Sequence, residues 1–168
     1  MRARTKVTVT AVALCAMAGY GTGHAATQPK HQPAGEAPVS GPGETAFIKA
    51  VLADLRAPAT GANVESVTAW VRHETSWPPV AASNPLDSTL PEPGSTIFNT
   101  IVLASGGVIH VQNYPDAAEG AAATAATIAN GSYPHIIADL TGGTGLCGDT
   151  AAAADFATWS GNGYSAVC

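Results

Sequence analysis

The sequence predicts a mainly α (α+β) domain of about five helices with one small β-hairpin region and one disulfide. Three observations predict it. Apolar residues recur at helical spacing over most of the chain from Glu44 onward; the period vanishes between Trp77 and Gln112, where β-branched residues cluster; and two cysteines, Cys147 and Cys168, stand late in the chain. A length of 168 residues, 46% of them hydrophobic and many of those Ala, allows one domain of ordinary size or two very small ones, with a helix-rich core of small side chains.

The elements follow in order. Arg2, Arg4 and Lys6 precede an apolar run from Val7 to Tyr20 and then Gly23-His24-Ala25-Ala26, the pattern of a secretory signal peptide over residues 1–26 with cleavage after Ala25 or Ala26. The run is too short to span a bilayer stably, and Leu14 precedes Cys15 where lipidation wants a small residue, so an exported product without stable membrane insertion is expected. Residues 27–43 contain Pro29, Pro33, Pro38 and Pro42 without apolar periodicity, the composition of a flexible Pro/Gly/Gln-rich tether. The folded domain is expected over 44–168.

Within it, Phe47, Val51 and Leu55 recur at every fourth position with Ile48 and Leu52 beside them, which predicts a first helix that Pro58 ends. A second helix begins after Thr60 as N-cap, aligns Val64, Val67, Trp70 and Val71 on one stripe, and reaches about Thr75. Pro78, Pro79, Pro85, Pro91 and Pro93 then interrupt the chain, and the pairs Ile101-Val102 and Val108-Ile109 about Gly106-Gly107 predict one short hairpin, with Thr96-Ile97 ahead of it. Asp116 and Glu119 are spaced as a capping box for a third helix that runs to Ile128 and stops at Asn130-Gly131. Ser132 is placed to cap a fourth helix carrying Pro134, Ile136, Ile137 and Leu140, and a last helix spans roughly Asp149 to Trp159.

Charge and spacing exclude several function classes. The chain has seven Lys and Arg against 12 Asp and Glu, a net of −5; without the leader only Lys30, Lys49, Arg56 and Arg72 oppose those acids, a net of −8. No nucleic-acid partner is expected, because phosphate binding rests on clustered cations. His73-Glu74 begins a zincin-like motif, but Trp77 stands where the second His belongs, and Gly143-x-Gly145-x-x-Gly148 follows a helix and encloses Cys147. No metal and no cofactor are expected. Cys147 and Cys168 are expected to pair in an oxidising compartment, closing a loop of about 22 residues worth roughly 3 kcal/mol.

Glu74 is the acid that this pattern singles out. It lies four residues after Trp70, three after Val71 and seven after Val67, which puts a carboxyl on or beside the apolar stripe at the C-terminal end of a helix. Partial burial and the negative end of the helix dipole both disfavour its ionised form, as a general acid near neutral pH requires. The other reading of Glu74 is a solvated acid paired with Arg72 or His73.

The segments Ala69-Trp70-Val71-Arg72-His73-Glu74-Thr75, Asn84-Pro85-Leu86-Asp87-Ser88-Thr89, Pro93-Gly94-Ser95-Thr96 with Asn99, Val111-Gln112-Asn113-Tyr114-Pro115 with Gly120, and Asn130-Gly131 with Tyr133 resemble a group of small lysozyme-like proteins. Members are secreted by actinobacteria or lie within tail proteins of their phages. The resemblance covers nearly all of 44–168. It implies a lysozyme-like domain whose general acid is a Glu at a helix end, followed by Ser or Thr and ahead of a β-hairpin, which Glu74-Thr75 matches. Two departures stand out: Asp87 replaces the usual Asn, and the stretch Thr100–His110 is longer than in relatives.

The resemblance and the residues together set the candidate site. Glu74 and Asp87 are the catalytic candidates, Asp87 either as a second carboxylate that positions water or as a turn residue after Pro85. Trp77 either stacks on a sugar face or packs, and Tyr114 either bonds a sugar hydroxyl or belongs to the core. Asn113 and Thr75 share those motifs and join them as substrate-binding candidates. The expected function is a secreted, monomeric enzyme, extracellular and at the cell wall, that cleaves peptidoglycan glycan strands as a muramidase or lytic transglycosylase. The rival readings are a non-catalytic lysozyme-like module that binds cell wall or protein, and a secreted structural protein of phage origin. The acidic charge speaks for a rival, since anionic wall polymers repel it.

Overall fold

Phe47, Ile48, Val51 and Leu52 share one side of the first helix, Leu55 follows directly after its end, and all five are buried. They sit at the centre of the core because helical spacing turns a sequence stripe into a surface that must find a partner. In the computed structural model the described residues are 42–103, 106–161 and 163–168; the leader and nearly all of the tether fall outside them. The elements among these are α1 (Pro42–Asp54), α2 (Gly61–Glu74), β1 (Thr96–Val102), β2 (Val108–Asn113), α3 (Ala117–Ile128), α4 (Pro134–Gly142) and α5 (Ala153–Trp159). None of the described helices is long and apolar enough to cross a membrane.

Helix α1 packs on α2 and α3. Close approach is possible because α3 turns Ala121, Ala125 and Ile128 inward, two of the three ending at Cβ. The start of α2 is fixed twice. Thr60 Oγ1 accepts from Asn63 N at 3.2 Å, and the fully buried Asn63 side chain donates to Pro58 O and Leu140 O, both at 2.7 Å, while accepting from Gly145 N at 3.0 Å. One satisfied amide thus ties α2 to the chain on either side of it. Gly145 has φ +76, and a Cβ there would stand 2.7 Å from Ala62 O, so this close approach requires glycine.

The expected mainly α arrangement, the hairpin and the disulfide are present. Strands β1 and β2 pair antiparallel from Val102↔Val108 to Thr96↔Asn113, with an irregularity between Ile97 and Asn99. Cys147 and Cys168 are bonded, with Cα atoms 5.2 Å apart.

Several details differ from the sequence expectation. Helix α1 begins at Pro42, where a missing N–H costs nothing, so its first turn includes Glu44 and extends into the stretch read as tether. Ser132 does not cap α4: Tyr133 stands at the N-cap position but makes no side-chain capping bond, and Asp155 of α5 supplies the acceptor, receiving His135 N at 2.7 Å and Ile136 N at 3.0 Å. Helix α5 starts at Ala153 rather than Asp149, whose side chain instead accepts from Ala151 N in the preceding turn. Asp116 caps α3 as expected, bonding Ala118 N and Glu119 N, but Glu119 Oε2 is buried without a hydrogen-bond partner.

Gly120, in the first turn of α3, faces the backbone of the loop after α2. A Cβ there would come 1.8 Å from Ser83 O, an overlap that no rotamer relieves. Gly120→Ala is therefore expected to cost about 3 kcal/mol, read as a lower urea midpoint at unchanged slope.

Candidate active site

Helix α2 delivers Glu74 in its last position, and Thr75 closes the helix in an extended conformation with its N–H on Val71 O at 2.8 Å. The solvated ion pair that would neutralise Glu74 is made elsewhere. Arg72 forks onto the buried Glu44 of α1, Nε to Oε1 at 3.2 Å and Nη2 to Oε2 at 3.1 Å, and the His73 ring lies 5.1 Å from the Tyr164 ring. Glu74 turns the other way and is half-buried among aromatic groups.

Its carboxyl is held by a relay of hydrogen bonds. Trp70 Nε1 donates to the Tyr164 hydroxyl at 2.9 Å, and that hydroxyl donates to Glu74 Oε1 in a short contact. The Trp159 indole also favours the charged carboxylate, as does Trp70, whose one N–H is given to Tyr164. Burial outweighs these donors and, with the Asp87 charge adding to it, raises the Glu74 carboxyl above its ordinary 4.5. Burial and the Glu74 charge also push the Tyr164 hydroxyl up, which favours its protonated, donating form.

Asp87 is a turn residue whose charge reaches Glu74. It has φ +50, its N–H reaches Asn84 O at 3.3 Å, and burial raises its carboxyl. The turn is clamped from inside by the fully buried Asn84, whose Nδ2 donates to Ser88 O at 2.9 Å and Gln112 O at 2.7 Å and whose Oδ1 accepts from Ser88 N at 2.8 Å. Ser88 is joined in turn to Thr124 of α3, Oγ to Oγ1, at 3.1 Å. Strand β2 and helix α3 thereby set where the Asp87 charge lies, within electrostatic reach of both Glu74 and Tyr164.

The four substrate-binding candidates divide. Tyr114 is a core aromatic: it is 2% exposed, its hydroxyl donates to Leu90 O at 2.7 Å, and burial pushes that hydroxyl up to about 12. Asn113 holds the framework, with Oδ1 accepting from Ala82 N at 2.8 Å and Nδ2 reaching Thr96 Oγ1 at 3.4 Å. Trp77 packs its ring 6.4 Å from Phe47 and keeps one side partly open, and Thr75, next to Glu74, is likewise half-buried. A cavity of about 530 Å³ runs along the hairpin between Thr89, Glu92, Ile97, His110 and Gln112, two residues from Asp87. Another of about 380 Å³ is lined by Arg56, Tyr133 and Ile137 and by none of the candidate residues; Glu74 lines neither.

Tyr164 and Trp159 are the site residues that sequence reading missed. Tyr164 follows the last helix, beyond Gly161, where no periodicity points it anywhere, and only the packing of α5 against α2 through Trp70, Phe156 and Trp159 brings it to Glu74. Comparison of the chain with protein-family models, with characterised proteins and with solved structures finds no match in any of the three.

Proposed function

We propose that this protein is a secreted, monomeric, lysozyme-like enzyme that cleaves the glycan strand of peptidoglycan at the cell wall, with Glu74 as general acid. The observation that carries the reading is a half-buried helix-end carboxyl, raised by burial, not paired with Arg72 two residues before it, and within electrostatic reach of a second carboxylate. Glu74 protonates the bridging oxygen between two aminosugars while the C1–O bond breaks, its electron pair leaving with that oxygen and an oxocarbenium-like centre forming at C1. Water, oriented by Asp87, then adds to that centre, or the sugar's own 6-hydroxyl closes an anhydro ring, and in either case the proton the attacking oxygen loses returns to the Glu74 carboxylate. A general acid acts only while protonated, so activity persists above the ordinary carboxylate range and is lost as pH rises through the raised Glu74 value. A pH profile of kcat checks this.

Digestion of purified cell walls followed by mass spectrometry tests the reading. New reducing ends assign hydrolysis, 1,6-anhydro ends assign transglycosylation, and wall binding without either product replaces the enzyme with a binding module. The acidic surplus over the whole chain favours a module that binds protein rather than wall, because it opposes rather than steers approach to an anionic wall.

A further inference from the structure

We propose that Tyr164 is the positioning residue of Glu74: its hydroxyl, itself held by the Trp70 indole, occupies Oε1 and leaves Oε2 as the oxygen that carries the transferable proton. The inference rests on the reading of Glu74 as general acid. A carboxyl has two nearly equivalent oxygens, and an acid that protonates one defined atom of a substrate gains if only one of them bears the proton. A hydroxyl that donates to Oε1 accomplishes this, because Oε1 then acts as acceptor in both protonation states of Glu74.

Tyr164 is built to stay where it is. Its backbone is pinned on both sides by one side chain, with Tyr164 N donating to Ser160 Oγ and Ser160 Oγ donating to Tyr164 O, each at 3.0 Å. Its ring lies between the His73 ring at 5.1 Å and the Phe156 ring at 6.1 Å. Beyond it, Val167 is buried in the core and Cys168 is bonded to Cys147, so the segment after α5 is anchored past the site as well as before it. The hydroxyl is oriented because Trp70 Nε1 has a hydrogen to give and no acceptor capacity, so the tyrosine oxygen accepts from the indole and its own hydrogen goes to Glu74. The groups that face Glu74 are Asp87 from the loop after α2, Tyr164, and the indoles of Trp70 and Trp159; Asp87 raises its proton affinity and the other three lower it.

The test is Tyr164→Phe in the full chain, which keeps the ring and removes the hydroxyl. The Glu74 carboxyl is followed by carbon NMR on glutamate-labelled protein, with Glu74→Gln to assign its resonance, and wall-cleavage kinetics are measured in parallel. Loss of a donor that favours the charged form is expected to move the Glu74 titration to higher pH, to carry the falling limb of the kcat profile with it, and to lower kcat about tenfold with KM within about twofold. Trp70→Phe, which withdraws the indole N–H from the same relay, is expected to move the titration in the same direction. An unchanged Glu74 titration in Tyr164→Phe overturns the proposal, as does kcat at or above the wild-type value, which would make the contact inhibitory. A wild type that releases nothing from walls, with the titration still moved in Tyr164→Phe, overturns the glycan-cleavage reading and leaves the positioning of the carboxyl standing.

Discussion

Glu74→Gln is expected to lower muropeptide release from purified walls by roughly three orders of magnitude and to leave the far-ultraviolet circular dichroism spectrum unchanged. The fold should be kept because glutamine preserves the shape of the side chain and an acceptor oxygen for the Tyr164 hydroxyl. Activity should be lost because an amide has no proton to deliver to the bridging oxygen. The same substitution makes a second, independent measurement possible. Burial raises the carboxyl in the folded state, so the folded protein holds that proton more tightly than the unfolded chain does. The stability this contributes is fully present below the ordinary value of 4.5 and is lost as pH rises through the folded value. Glutamine carries no such pH dependence, so Tm of the variant relative to wild type should rise between acid and neutral pH. A difference that stays flat over that range would show Glu74 to be an ordinary solvated acid, and a variant that retains most of its wall-cleaving activity would remove the mechanism.

The largest stability effect is expected at Trp70. The side chain is 0% exposed, meets the Phe156 and Trp159 rings edge to face at 5.4 and 4.7 Å, and donates its N–H to Tyr164. Trp70→Ala should cost about 4 kcal/mol and lower Tm by roughly 10 °C or more, since it opens a cavity between α2 and α5 and leaves the Tyr164 oxygen without its donor. Trp70→Phe, which keeps most of the packing, should cost less than half as much. Equal losses in the two variants would mean that the hydrogen bond rather than the ring fill holds this contact, and urea melts on both decide it.

Local signals reached far in this chain because its helices end on side chains close in sequence. Thr60 and Asp116 cap α2 and α3 as their identities suggest, since an N-cap needs only a short acceptor and amides two or three residues on. The cap of α4 was not legible, because its acceptor, Asp155, lies about 20 residues away on α5 and nothing in the 132–136 stretch refers to it. Ser132, the residue of the right type, took no part in capping, and its own N–H bonds Asn130 Oδ1 instead. Aromatic residues were ambiguous for a related reason. Tyr114 and Trp77 each precede a proline, where nothing local distinguishes a ring facing solvent from one facing the core.

The helices, the hairpin, the pairing of Cys147 with Cys168 and a carboxyl at the end of an apolar helical stripe were all legible along the chain, because each depends on spacing within one element or on the only two cysteines between residues 27 and 168. Tertiary structure decided what that carboxyl is. Arg72, two residues away, is drawn to Glu44 on α1, while Asp87, Trp159 and Tyr164 come to Glu74 from separate parts of the chain. Proton affinity and orientation depend on what surrounds a group in space, and for Glu74 most of that environment lies far from it along the chain.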